Sequence, residues 1–165
     1  VRQLYGGFSF SHDKVKDAIL SYMSKEDRYF YNEKLAKIYE SMIPNNNAYL
    51  FNSTEYYLKS KNLEKSIESC FKAAKYAVQR AAFDAAIHYF KLTLLMVNSC
   101  SKLQLSVPVD VTKVKIAFGN VLMQATKNQE AFNIFQSLLN ESTQLSVTVK
   151  LELKYKIGSI FFNKG

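Results

Sequence analysis

Leu63–Val97 reads LEKSIESCFKAAKYAVQRAAFDAAIHYFKLTLLMV, 35 residues without a glycine or a proline. Its apolar positions recur at steps of three and four: Ile67, Cys70, Phe71, Ala74, Ala77 and Val78, then Phe83, Ala86, Ile87, Phe90 and Leu94. That period places them on one helical face, with Glu64, Lys65, Glu68, Lys72 and Lys75 on the other. A single helix here would run for about nine turns, far beyond the mean of about 11–12 residues. The apolar face restarts out of phase at Phe83, so the stretch reads as two helices broken near Gln79–Ala81. Small residues (Ala73, Ala74, Ala77, Ala85, Ala86) mark where neighbouring helices come close. The pattern is that of paired helices, and the remainder of the chain repeats it.

Working outward toward the N-terminus, Lys61-Asn62 is the turn that precedes this stretch, and a helix over about Ala48–Ser60 comes before it. Pro44 and Asn45–Asn47 end an earlier helix and form the expected linker. That helix carries Phe30, Leu35, Ile38, Tyr39 and Met42, and Ser24-Lys25-Glu26-Asp27 opens it as a capping box with Asp for the usual Glu. A first helix bears Val15, Ala18, Ile19 and Tyr22, with Ser11 as its N-cap and Asp13 in its first turn. Val1–Ser11 reads as extended, with Gly6-Gly7 suited to a turn and a strand partner expected outside the chain. Toward the C-terminus, a Ser-rich loop is expected at Asn98–Pro108. Helices follow over Val111–Ala125, Gln129–Leu139 and Val147–Phe162, with Asp110 capping the first. The expected fold is all-α, a stack of helical hairpins over 48–165 preceded by a separate part over 1–44 that holds one short strand.

Spacing within the pairs is specific. Gly119, Ala131 and Phe135 stand twelve and then four residues apart, as do Ala74, Ala86 and Phe90. Tetratricopeptide units share this grammar of a small residue in the first helix, a small residue early in the second and an aromatic one turn on. Gly158 repeats the first position 39 residues after Gly119, with Phe161 and Gly165 following as aromatic and turn. Lys115 and Lys154 stand at the usual large-aromatic position, and Leu138 at a small one.

The formal charge is +8, and of the 22 basic residues only Arg2, Arg28 and Arg80 are arginine. Lysines spread along the whole chain indicate solvated helix faces, the alternative being a weak electrostatic preference for an acidic partner or membrane surface. A nucleic-acid surface would concentrate arginine on one face. No apolar run approaches 18 residues, so no membrane span is expected. No signal peptide opens the chain and the first residue is Val1, so it reads as a segment of a longer polypeptide. Cys70 and Cys100 read as free thiols of a reducing, cytoplasmic compartment.

His12-Asp13 is the one pair resembling an active-site fragment, but a metal first shell needs further histidines and only His88 remains. Neither cysteine has a neighbouring histidine, there is no Gly-x-Ser-x-Gly elbow, and no glycine-rich loop precedes a lysine. No enzyme activity, metal or cofactor is therefore expected of these residues. Helical spacing makes the many Tyr and Phe residues core and inter-helix plugs, not base-stacking platforms.

Phe8-Ser9-Phe10-Ser11-His12-Asp13-Lys14-Val15, with Ala18, Arg28, Leu35, Ala36 and Tyr39, resembles the segment that closes the nucleotide-binding module of STAND-type signalling ATPases. These include soluble adenylyl cyclase-like proteins and multi-domain sensor kinases. In that family a strand and helix end a winged-helix-like subdomain, and an Arg-x-x-Leu-His helix leads into tetratricopeptide-like repeats. Here Tyr31-Asn32 stands in place of Leu-His. Tyr56-Tyr57-Leu58 with Asn62–Ser66 resembles a first repeat, and Ile157–Gly165 a later one. The resemblance implies a non-catalytic regulatory segment whose partners are proteins or neighbouring domains of the same chain, with ATP-binding residues elsewhere. An alternative is a DNA-binding regulator, which predicts duplex binding that weakens steeply with salt.

Overall fold

The computed structural model describes residues 2–4, 7–9, 13–141 and 145–162. Eight helices account for most of them: α1 (Asp13–Tyr22), α2 (Lys25–Met42), α3 (Tyr49–Leu58), α4 (Leu63–Gln79), α5 (Phe83–Lys102), α6 (Val111–Gln124), α7 (Asn128–Glu141) and α8 (Val147–Phe162). Two three-residue strands, β1 (Arg2–Leu4) and β2 (Gly7–Ser9), pair antiparallel with Gln3 opposite Phe8. The partner of Phe8-Ser9 thus lies within the chain. Ser11 and His12 lie outside the described residues. No helix among the described residues is long and apolar enough to cross a membrane.

The chain divides into two compact units, Val1–Asn62 and Leu63–Gly165. The linker expected at Asn45–Asn47 falls inside the first, where α2 and α3 pack together. Ala36 is fully buried there, and the buried Ser53 hydroxyl donates to its carbonyl at 3.0 Å. The Tyr57 hydroxyl donates to Glu40 Oε2 at 2.6 Å, and Tyr39 stacks on Tyr56 with centroids 5.5 Å apart. Asn32, at the position where the resembling family has histidine, donates from Nδ2 to the Lys59 carbonyl at 3.1 Å and so closes the end of α3. Glu33 accepts from Asn62 Nδ2 at 3.3 Å and pairs with Lys37. The bonds from Lys37 and then Asn62 hold its carboxyl below the usual range.

Capping follows the sequence with one change. Ser24 Oγ accepts from the Asp27 amide at 3.0 Å, as an N-cap should. The shorter Asp side chain accepts from the Ser24 hydroxyl at 2.7 Å, where a Glu would reach back to the backbone amide. Asp110 Oδ1 accepts from the Lys113 amide and starts α6.

In the second unit each helix packs on the next in sequence, α4 on α5 through α7 on α8. The long apolar stretch breaks at Arg80–Ala82, where Ala81 takes φ 55° and the Ala82 amide donates to the Ala77 carbonyl at 2.9 Å. The same ending recurs twice. Gln104 (φ 55°) is followed by Leu105 N–H to Cys100 C=O, and Thr126 (φ 57°) by Lys127 N–H to Leu122 C=O. Each is a Schellman closure with a non-glycine residue in the left-handed position.

The loop expected at Asn98–Pro108 starts later, since α5 continues to Lys102. Cys100 is buried with Ile67 and Val97, and Val107, Val109 and Val111 fold back against that cluster. Burial of one face holds Asn98–Lys102 helical despite its polar composition, because packing outweighs a weak local propensity.

Candidate functional site

The small residues and aromatics singled out by spacing do not converge on a pocket; they form the seams between helices. Ala74, Ala86, Phe90, Ala131 and Phe135 are fully buried. A Cβ built on Gly119 would overlap the Phe135 ring, its Cζ only 2.5 Å away. So α7 crosses α6 at Gly119, with the ring occupying the space a side chain would need. Gly158 differs: it is exposed, and an added Cβ would meet nothing within 4 Å. Among the described residues it is not a contact position, although it repeats the Gly119 position 39 residues on.

The aromatics link successive helices. Phe90 on α5 meets Phe71 on α4 edge-on at 6.2 Å and stacks on Phe118 of α6 at 5.7 Å. Phe132 on α7 meets Phe161 on α8 edge-on at 5.5 Å. Such pairs contribute about 0.5–1.5 kcal/mol each beyond area burial. Phe118 and Phe132 were not singled out by the spacing argument, because their partners are set by which helices become neighbours.

The residues that could carry chemistry are dispersed. His88 is exposed on α5, edge-on to Tyr89. Cys70 is fully buried, and desolvation pushes its thiol up to about 12, far from the range of a reactive thiolate. Among the described residues, no cluster of three or more His, Cys, Asp or Glu could hold a metal ion.

Among the described residues, two grooves are candidates for binding. In the second unit a groove of about 410 Å³ is lined by Lys91, Leu94, Leu95, Asn98, Ser99 and Lys102 of α5, with Phe118 of α6. In the first unit a groove of about 890 Å³ lies among α1, α2 and α3, with Ile19, Leu20, Tyr31, Leu35 and Tyr56 as its apolar wall and Arg28 and Lys59 among its lining charges. Both are open; the α5 groove mixes apolar and cationic groups, and the other also carries Glu55, which pairs with Lys59. Comparisons with family models, with curated proteins and with solved structures returned no match.

Proposed function

We propose that this chain is a regulatory and protein-interaction segment of a larger signalling ATPase, nucleotide cyclase or kinase of the STAND type, and does not itself catalyse. In this reading the helices over 48–165 are tetratricopeptide-like hairpins, and the N-terminal strand and helix are the end of a winged-helix-like subdomain. The segment works in the cytoplasm, receives a protein partner or a neighbouring domain, and restrains the module that holds ATP.

The observation that carries this reading is the seating of Phe135 on Gly119 at the α6–α7 crossing. It joins helices that pack neighbour on neighbour through α4–α8. Arrays built this way have mainly nearest-neighbour interfaces and offer long continuous surfaces for partners. The resemblance of Phe8–Val15 and of the Arg28–Tyr39 helix to the signalling ATPases supplies the parent class.

Calorimetric titration of the purified chain with Mg-ATP tests it. No heat of binding at micromolar nucleotide and no phosphate release are expected. Stoichiometric nucleotide binding would refute the reading.

A further inference from the structure

We infer that the α5 groove of the second unit is a docking site for an acidic peptide segment with apolar residues between its carboxylates. The inference rests on the reading of this chain as a protein-interaction segment and names the chemistry of one partner. Lys91, Leu95, Asn98 and Lys102 follow one another at steps of four, three and four, which at about 100° per residue keeps all four on one stripe of the helix. All four are exposed, Leu95 by 64%, and all line the groove, whose floor includes Leu94 and the buried Phe118 ring. The apolar part of the stripe therefore lies between two cations.

Charge selects the occupant. Lys91 already holds a carboxylate, Glu130 Oε2 of α7 at 3.3 Å, with both side chains about half exposed. Lys102 makes no ion pair among the described residues, and the Asn98 side chain has no hydrogen-bond partner among them. The lining has no acidic member, and the chain as a whole carries +8. A second copy of the chain would bring further positive charge, whereas an acidic segment is complementary.

The spacing sets a register. Lys91 and Lys102 are eleven residues apart in one helix, or about 16 Å along its axis. An extended peptide advances about 3.3 Å per residue and alternates its faces, so carboxylates six residues apart share one face and, about 20 Å apart, reach both lysines through their flexible side chains. The second and fourth residues after the first carboxylate face the same way and place apolar side chains on Leu94 and Leu95, above the Phe118 ring.

The test is fluorescence anisotropy with the whole chain and a fluorescein-labelled peptide carrying two glutamates six residues apart, with leucine and phenylalanine two and four residues after the first. Saturable binding that weakens with salt is expected. Lys102→Glu, at an exposed position, should weaken it about tenfold, and so should replacing the peptide's glutamates by glutamine. Glu130→Gln should tighten it by freeing Lys91. Three results would overturn the assignment: no saturable binding up to millimolar peptide, equal affinity for the Lys102→Glu variant, or tighter binding of a single-stranded oligonucleotide with the same sensitivity to Lys102. These outcomes are separate from the nucleotide titration. A failed peptide assay with no ATP binding removes only the groove, and ATP binding removes the broader reading whatever the peptide does.

Discussion

The Phe135 ring lies where a Cβ of Gly119 would be. Glycine mid-helix costs about 1 kcal/mol relative to alanine through backbone entropy. Here that cost is offset by an aromatic ring packed directly on the backbone of α6. Gly119→Ala should destabilise the second unit by about 1–3 kcal/mol, because Phe135 is fully buried and cannot swing clear. In a Phe135→Ala background, itself costing about 3–5 kcal/mol, the sign should reverse and Gly119→Ala should gain up to about 1 kcal/mol. Urea denaturation of the four chains measures the coupling, and additive effects would contradict the contact.

Gly158 supplies the contrast. It is exposed with open space around its Cα, so Gly158→Ala should raise stability by up to about 1 kcal/mol through helix propensity alone. Loss of stability in the same denaturation experiment would mean that the α8 face is covered in solution.

Thr126 holds φ 57° at the end of α6, a conformation costly for a β-branched residue. Thr126→Gly should stabilise by about 1 kcal/mol, since the Lys127 amide bond to Leu122 is kept and the strain is relieved. An unchanged or lowered thermal midpoint would show that the helix does not end in this left-handed closure.

Burial raises the Cys70 thiol to about 12, above its unfolded value near 9. The unfolded chain loses this proton first as pH rises, so the unfolded state binds fewer protons between these values. The contribution of Cys70 is complete below about pH 9 and declines through the window up to about 12, by about 1.4 kcal/mol per pH unit where the difference is one full proton. Denaturation midpoints at pH 8 and 10 for the wild type and Cys70→Ala check this, because the variant should show the shallower fall. Native Cys70 should also resist iodoacetamide at neutral pH.

Tyr57 is 1% exposed and its hydroxyl donates to Glu40 at 2.6 Å across the α2–α3 hairpin. Tyr57→Phe should cost about 1.5–3 kcal/mol, the range for a hydrogen bond to a charged group. Amide exchange along α2 and α3 reads the effect within the first unit, and unchanged protection would remove this bond from the energetics of the hairpin.

Much of the helical architecture was legible because burial of one face demands a 3.6-residue period. The break after Gln79 showed as a phase shift at Phe83, and Ser24 and Asp110 showed as caps. The extension of α5 to Lys102 was not legible. Asn98, Ser99 and Ser101 carry no apolar signal, and only burial of Cys100 against Ile67 and Val97 keeps that turn helical. The left-handed closures at Ala81, Gln104 and Thr126 were hidden for a related reason, since none of them is the glycine that usually announces such an end.

The sequence by itself marked small residues able to sit at a helix crossing, through the twelve-then-four spacing of Gly119, Ala131 and Phe135. It could not tell Gly119 from Gly158, which repeats the Gly119 position 39 residues on. Only the tertiary structure separated them, by seating Phe135 on one and leaving open space beside the other. A local pattern records what a helix is able to accept, whereas the neighbour that arrives depends on how distant segments fold together. The groove on α5 has the same origin: one helix supplies the stripe from Lys91 to Lys102, and Phe118 from another completes its floor.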